Sequence, residues 1–137
     1  MKKRSSTAVW KGTLKEGKGT LTTKSGILRE AKYSFSSRFE EGSGTNPEEL
    51  IATAHAGCFS MYLSSVLEKE GFKPETIETT STVTIENLVI TESHLVTKVK
   101  AEGISKDQLV KCANDAKANC PVSKVLKLNI SMELTLL

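Results

Sequence analysis

The chain has 137 residues, of which 38% are apolar and 26% charged, and its formal net charge is +3. That length suits one compact domain, expected here over residues 1–137, which on folding alone would bury roughly 70% of its unfolded surface. Lys and Glu are interspersed apart from the short start Lys2-Lys3-Arg4, which speaks against the basic patch or stripe that a nucleic-acid partner requires. Polar Ser5-Ser6-Thr7 follows that start where a secretory signal would turn apolar. No apolar run is read as approaching the roughly 20 residues that span a bilayer. The expected location is the cytosol, away from membranes. Three cysteines in a reducing compartment do not form a structural disulfide framework, and each could be a small core side chain.

Residues 6–40 read as strands. Ala8, Trp10 and Gly12 alternate with Val9, Lys11 and Thr13. Gly17-Lys18-Gly19 marks a turn, Thr20–Thr23 a short strand, and Ser25-Gly26 a second turn. Tyr33, Phe35 and Ser37 alternate with Ser34, Ser36 and Arg38, which predicts a third strand ending near Arg38. After the loop at Gly42–Thr45, Asn46, Pro47 and Glu49 form a helix start with a capping-box spacing. That helix is expected to reach Lys69, with Gly71 as its stop. It is apolar on nearly every face, which predicts burial on most sides and help from a second chain. Ile77–Glu86 and His94–Ala101 read as strands. Ser105-x-x-Gln108 caps a helix to about Asn119, and Cys120-Pro121 opens a further short one. Leu128, Ile130, Met132, Leu134 and Leu136 alternate as a last strand. The class is α+β, with antiparallel sheets around a central helix.

Cys58 lies inside the apolar helix, where burial alone raises a thiol's pKa and makes it inert. Cys120 precedes Pro121 at a helix N-terminus, a setting that favours thiolate, so the local argument makes Cys120 the more acidic of the two. Cys112 sits mid-helix among Leu109, Val110 and Ala113 and reads as core. His55 could join Cys58 and Cys120 around zinc, but there is no C-x-x-C and no second close ligand pair. No metal is therefore expected, and His55 reads as a packed or hydrogen-bonded helix residue. His94 carries no signal. Taken alone, Arg38 is a solvated strand-end charge and Glu48 a favourable charge in a first helical turn.

Three stretches change that balance. Thr45-Asn46-Pro47-Glu48-Glu49-Leu50-Ile51-Ala52, Ala54-His55-Ala56-Gly57-Cys58-Phe59-Ser60-Met61 and Ala118-Asn119-Cys120-Pro121-Val122-Ser123-Lys124-Val125-Leu126 closely resemble the OsmC (osmotically inducible protein C) family. The resemblance runs from Val9-Trp10-Lys11-Gly12 to the final strand. It implies an intertwined homodimer with a long buried central helix, and a thiol-dependent reductase of organic hydroperoxides that needs no cofactor. It implies that Cys58 attacks the peroxide and Cys120 resolves the product, against the local argument. It also implies that Arg38 steadies the Cys58 thiolate and that Glu48 pairs with Arg38. The organic-hydroperoxide-resistance branch of the superfamily carries its arginine nearer the N-terminus, and residues 8–28 here contain none. The OsmC branch therefore fits better.

The implied cycle is a Cys58 sulfenic acid, then a Cys58–Cys120 disulfide, then reduction by a dithiol. Lowering a thiol pKa from about 8.5 to roughly 6 takes about 3.4 kcal/mol, within reach of one desolvated cation with hydrogen bonds. Glu48 and Cys58, ten residues apart on a helix, are separated by about 15 Å along its axis. A site shared between two subunits is therefore expected. Phe39, Phe59 and Met61 are candidates for an apolar mouth. Gly57 stands where many relatives carry alanine, at a cost of roughly 1 kcal/mol in a helix interior. Two other readings use the same residues: a redox sensor with negligible turnover, and a binding protein with inert cysteines.

Overall fold

The computed structural model describes residues Met1–Leu137. The elements are β1 (Ser6–Lys11), β2 (Lys18–Thr23), β3 (Ala31–Tyr33), α1 (Phe35–Phe39), α2 (Pro47–Lys69), β4 (Pro74–Glu86), β5 (Val89–Ala101), α3 (Lys106–Asn119), α4 (Pro121–Val125) and β6 (Asn129–Leu136). The class is α+β. The chain divides into two compact units, Met1–Leu50 and Ile51–Leu137, with the boundary in the first turn of α2.

The first unit is an antiparallel meander, β1-β2-β3. Gly19 on β2 stands opposite both Trp10 and Tyr33, whose rings meet at 5.4 Å between centroids. A Cβ at Gly19 would lie 2.3 Å from Tyr33 Cε1 and 2.6 Å from Trp10 Cε3, so the aromatic pair requires glycine there. All six residues of β1 are exposed, and no apolar side chain of this unit is buried.

The strand expected through Ser37 ends at Tyr33, and Arg38 lies in a helix instead. Ser34 accepts from Ser37 N–H at 3.2 Å while Ser37 Oγ accepts from Ser34 N–H at 2.8 Å. This reciprocal cap turns the alternating run Tyr33–Arg38 into the start of α1. Ser37 Oγ also donates to the Thr45 carbonyl at 2.8 Å, and Asn46 Nδ2 donates to the Ser37 carbonyl at 3.0 Å. These bonds tie α1 to the start of α2. Asn46 caps α2 as expected, accepting from Glu49 N–H at 2.7 Å.

In the second unit β4 and β5 form a long antiparallel hairpin. Its turn is closed by Asn87 and Leu88, both at positive φ, the two-residue geometry that suits the strand twist. The expectation of purely antiparallel sheets fails at β6, which pairs parallel to β5. α3 and α4 intervene between those strands and supply the crossover that parallel neighbours need. The inward face of β5 carries Ser93, Leu95, Thr97, Val99 and Ala101, all buried. Ser105 and Gln108 form the capping box that opens α3, which buries Leu109, Cys112, Ala113 and Ala116 on one face. Cys112 is thus a core residue.

Within unit two α2 buries His55, Phe59, Leu63, Val66 and Leu67, spaced as one helical face. The opposite face, with Ala54, Gly57 and Met61, is exposed, so burial on most sides does not hold within one chain. α2 is also long and apolar enough, with a mean hydropathy of 1.4 over an 18-residue window, to cross a membrane by length and composition. That corrects the reading that no run approaches a spanning length. The core helix of a soluble protein has the same composition, and α2 has one face packed in this way.

Candidate functional site

The functional side chains fall into two clusters, one in each unit. In the first, α1 presents Arg38 and the first turn of α2 presents Glu48. Arg38 donates from Nε at 3.1 Å and from Nη2 at 2.9 Å, both to Glu48 Oε1. Glu48 is buried, with 7% of its side chain exposed. Its second oxygen, Oε2, has no partner. An unpartnered buried carboxylate oxygen is costly and marks a place for another donor. Arg38 also lies over the Phe39 ring at 5.0 Å. Beside it opens a cleft of about 260 Å³ lined by Trp10, Leu14, Tyr33, Phe35 and Phe39. The result is a charged guanidinium at the edge of an aromatic cleft.

The second cluster holds Cys58 and Cys120, which like the core residue Cys112 are free thiols. Cys120 is fully buried and is the N-cap of α4, with Pro121 at the first helical position. Its Sγ accepts from Ser123 N–H at 3.4 Å and shares a hydrogen bond with Ser123 Oγ at 3.0 Å. Cys58, half-buried on α2, accepts from Val122 N–H at 3.5 Å, beside the Ser123 amide that serves Cys120. The α4 end therefore serves both sulfurs, where the local sequence argument gave it to Cys120 alone. Burial pushes the Cys58 thiol above its ordinary pKa. The Val122 amide opposes this, and the neighbouring Cys120 adds to the rise. Burial, with Glu70 and Asp115 nearby, also raises the Cys112 thiol.

Behind the thiols runs a buried polar network that the sequence reading did not assemble. His55 is fully buried. Its Nε2 meets Ser123 Oγ at 2.8 Å and its Nδ1 meets Ser93 Oγ at 2.6 Å. Ser93 Oγ in turn meets Ser81 Oγ at 2.9 Å. Burial lowers the His55 pKa below its ordinary value, so the imidazole is neutral at pH 7. Ser123 was within reach of sequence reasoning, because it stands three residues after the cap Cys120. Ser93 and Ser81 had no local signal, being polar residues on strand positions whose same-face neighbours, two residues away, are apolar or Thr.

Of the expected site residues, the structure brings Cys58 together with Cys120 and Arg38 together with Glu48, each pair within one unit. The apolar mouth is corrected in part. Phe59 is fully buried in the core and cannot line one, while Met61 is 80% exposed.

Residues 40–135 match the sequence profile of the OsmC-like protein family. The chain is 45% identical over 133 residues to peroxiredoxin OsmC of Escherichia coli K12, covering 94% of this chain and 93% of that one. It is 34% identical over 93 residues to organic hydroperoxide resistance protein OhrA of Bacillus subtilis, covering 66% and 65%. The OsmC-like protein of Mycoplasma pneumoniae shares the fold, with a TM-score of 0.75 at 16% identity over 99% of this chain and 98% of that one. With two free thiols at one helix end on this fold, identity at this level defines a cysteine-based peroxidase. The chain belongs to the OsmC-like protein family.

Proposed function

We propose that this protein reduces organic hydroperoxides to alcohols through Cys58, with Cys120 as the resolving thiol. The start of α4 carries the reading: the adjacent amides of Val122 and Ser123 reach the Cys58 and Cys120 sulfurs, which holds the two thiols at one helix end, as an internal disulfide requires. The Cys58 thiolate attacks the terminal oxygen of ROOH, alkoxide leaves and takes a proton, and Cys58 becomes a sulfenic acid. Cys120 displaces hydroxide from that sulfur and the disulfide closes. A dithiol then attacks. Cys58 is the accessible sulfur and Cys120 the buried one, so exchange begins at Cys58 and expels Cys120, whose leaving charge the Ser123 amide receives.

Burial raises the Cys58 thiol within its own unit, so the thiolate requires a cation. Arg38 is the candidate. It is always charged, oriented by Glu48 and beside an aromatic cleft that suits an organic peroxide. The helical separation of Glu48 from Cys58 favours an Arg38–Glu48 pair donated by a second subunit. Three further features support a homodimer: a first unit without buried apolar side chains, the exposed face of α2, and the orphan Glu48 Oε2. Mixing Cys58→Ser with Glu48→Ala subunits tests the shared site. Each variant alone is inactive or weak, and the heterodimer regains one working site. Failure to regain activity sinks the shared arrangement.

A further inference from the structure

The resolving step poses a proton problem. Cys120 must lose its proton to become a nucleophile, yet it is 0% exposed, so bulk water cannot take it directly. The hydrogen-bonded path from its sulfur into the protein is continuous: Cys120 Sγ to Ser123 Oγ at 3.0 Å, then Ser123 Oγ to His55 Nε2 at 2.8 Å. On the far side His55 Nδ1 meets Ser93 Oγ at 2.6 Å, and Ser93 meets Ser81 at 2.9 Å.

One of the two neutral tautomers of His55 gives this chain the direction the resolving step needs. A neutral imidazole has one N–H and one acceptor. With the N–H on Nδ1 it donates to Ser93, which donates on to Ser81. Nε2 then accepts from the Ser123 hydroxyl, and Ser123 Oγ is left to accept from the Cys120 thiol. Every proton has one acceptor, and the path runs from thiol to ring. We propose that His55, working through Ser123, holds the proton that Cys120 releases as the disulfide closes. This rests on the reading of Cys120 as the resolving thiol.

The step balances. The thiol proton passes to Ser123 Oγ as the Ser123 proton passes to Nε2, leaving Cys120 as thiolate and His55 as imidazolium. The Cys120 sulfur bonds the Cys58 sulfur, and the S–O bond of the sulfenic acid breaks with its electron pair on hydroxide. Hydroxide takes one proton, restoring neutral His55 by way of Ser123, and leaves as water. Ser123 touches the reacting sulfur. His55 is a positioning residue that acts through it.

Burial keeps His55 neutral, so one of its ring nitrogens is free to accept. The groups meeting it are Ser93 from β5 and Ser123 from α4, with Ser81 of β4 behind Ser93, none of them charged at working pH. Cys58 on its own helix and Cys120 are the titratable groups of the cluster. Transfer to so buried a ring is uphill, and bond formation at sulfur draws it forward.

Single-turnover mixing with one equivalent of cumene hydroperoxide tests this in wild type, His55→Gln and Ser123→Ala, across about pH 6 to 9. Dimedone trapping reads the Cys58 sulfenic acid, and mass spectrometry reads the disulfide. Oxidation of Cys58 is followed separately, so a loss there is not mistaken for slow closure. Expected in both variants is closure slowed at least about tenfold at pH 7, accumulating dimedone-trapped Cys58. Their closure rate should rise about tenfold per pH unit towards the thiol range, against a shallower wild-type dependence. Ser123→Ala leaves the ring in place and carries the test if His55→Gln does not fold. Closure at the wild-type rate, or slowed closure with the wild-type pH dependence, overturns the proposal. A wild type that forms neither sulfenic acid nor disulfide brings down the underlying peroxidase reading, and this one with it.

Discussion

At the scale of single residues, the chemistry is set by how a half-buried thiol acquires charge. The Cys58 environment within its unit works against ionisation, with one amide in opposition. Removing the cation proposed for it should therefore do more than slow the reaction. Arg38→Ala is expected to lower kcat/KM by about 10²-fold at pH 7. Its pH–rate profile should move to the alkaline side, because the thiol returns to its raised pKa. An unshifted profile would take Arg38 out of thiolate stabilisation. His55 gives a stability prediction of definite sign. Its folded pKa is lowered from the ordinary 6.5, so the unfolded chain binds more protons below that pH. The stabilisation is present above about pH 6.5 and is lost as pH falls through the folded value, with a slope of up to about 1.4 kcal/mol per pH unit. Denaturant unfolding should show wild type losing more stability than His55→Gln between pH 7 and 5. Cys58 and Cys120 were legible as a pair only through the family motifs, since local rules favoured Cys120. Arg38 was placed on the wrong element, because Tyr33–Arg38 alternates while Ser34 and Ser37 cap each other. Phe59 was a candidate for the apolar mouth but is buried in the core, since a helix that is apolar all round does not disclose which face its own chain covers.

At the scale of elements, caps and faces do most of the positioning. Ser105→Ala removes one half of the α3 capping box and should cost about 1 kcal/mol in denaturant unfolding. α3 carries Cys112 but neither site thiol, so turnover of the folded variant should not change. Gly57 lies on the exposed face of α2, and a Cβ there meets no atom of this chain within 4 Å. Gly57→Ala should therefore stabilise the chain by about 1 kcal/mol. A loss instead would mean that another chain's backbone comes close at that position. Three of the four helices announced themselves clearly: Asn46, Ser105 and Pro121 each sit at the start their residue types predict. The parallel pairing of β6 was not legible, because alternation along Leu128–Leu136 gives a strand its faces but not its neighbour or direction. The hydrogen bonds from His55 to Ser93 and Ser123 span 38 and 68 residues, a separation no local pattern reports.

At the scale of the whole molecule, the buried apolar core lies entirely between Phe59 and Cys120. Unit one contributes none of it, yet supplies Arg38 and Glu48. A unit of that size with no buried apolar side chain lacks the means to hold itself together, which is why a second copy belongs to the functional reading. Sedimentation equilibrium should give a dimer, and apparent stability should rise with protein concentration. A monomer at working concentration would remove the shared site. The most direct test of the central claim is steady-state turnover of cumene hydroperoxide with a small dithiol, for wild type, Cys58→Ser and Cys120→Ser. Wild type should turn over and Cys58→Ser should not, while Cys120→Ser should be oxidised at Cys58 without closing the internal disulfide. A wild type with reduced, accessible thiols and no turnover would contradict the claim.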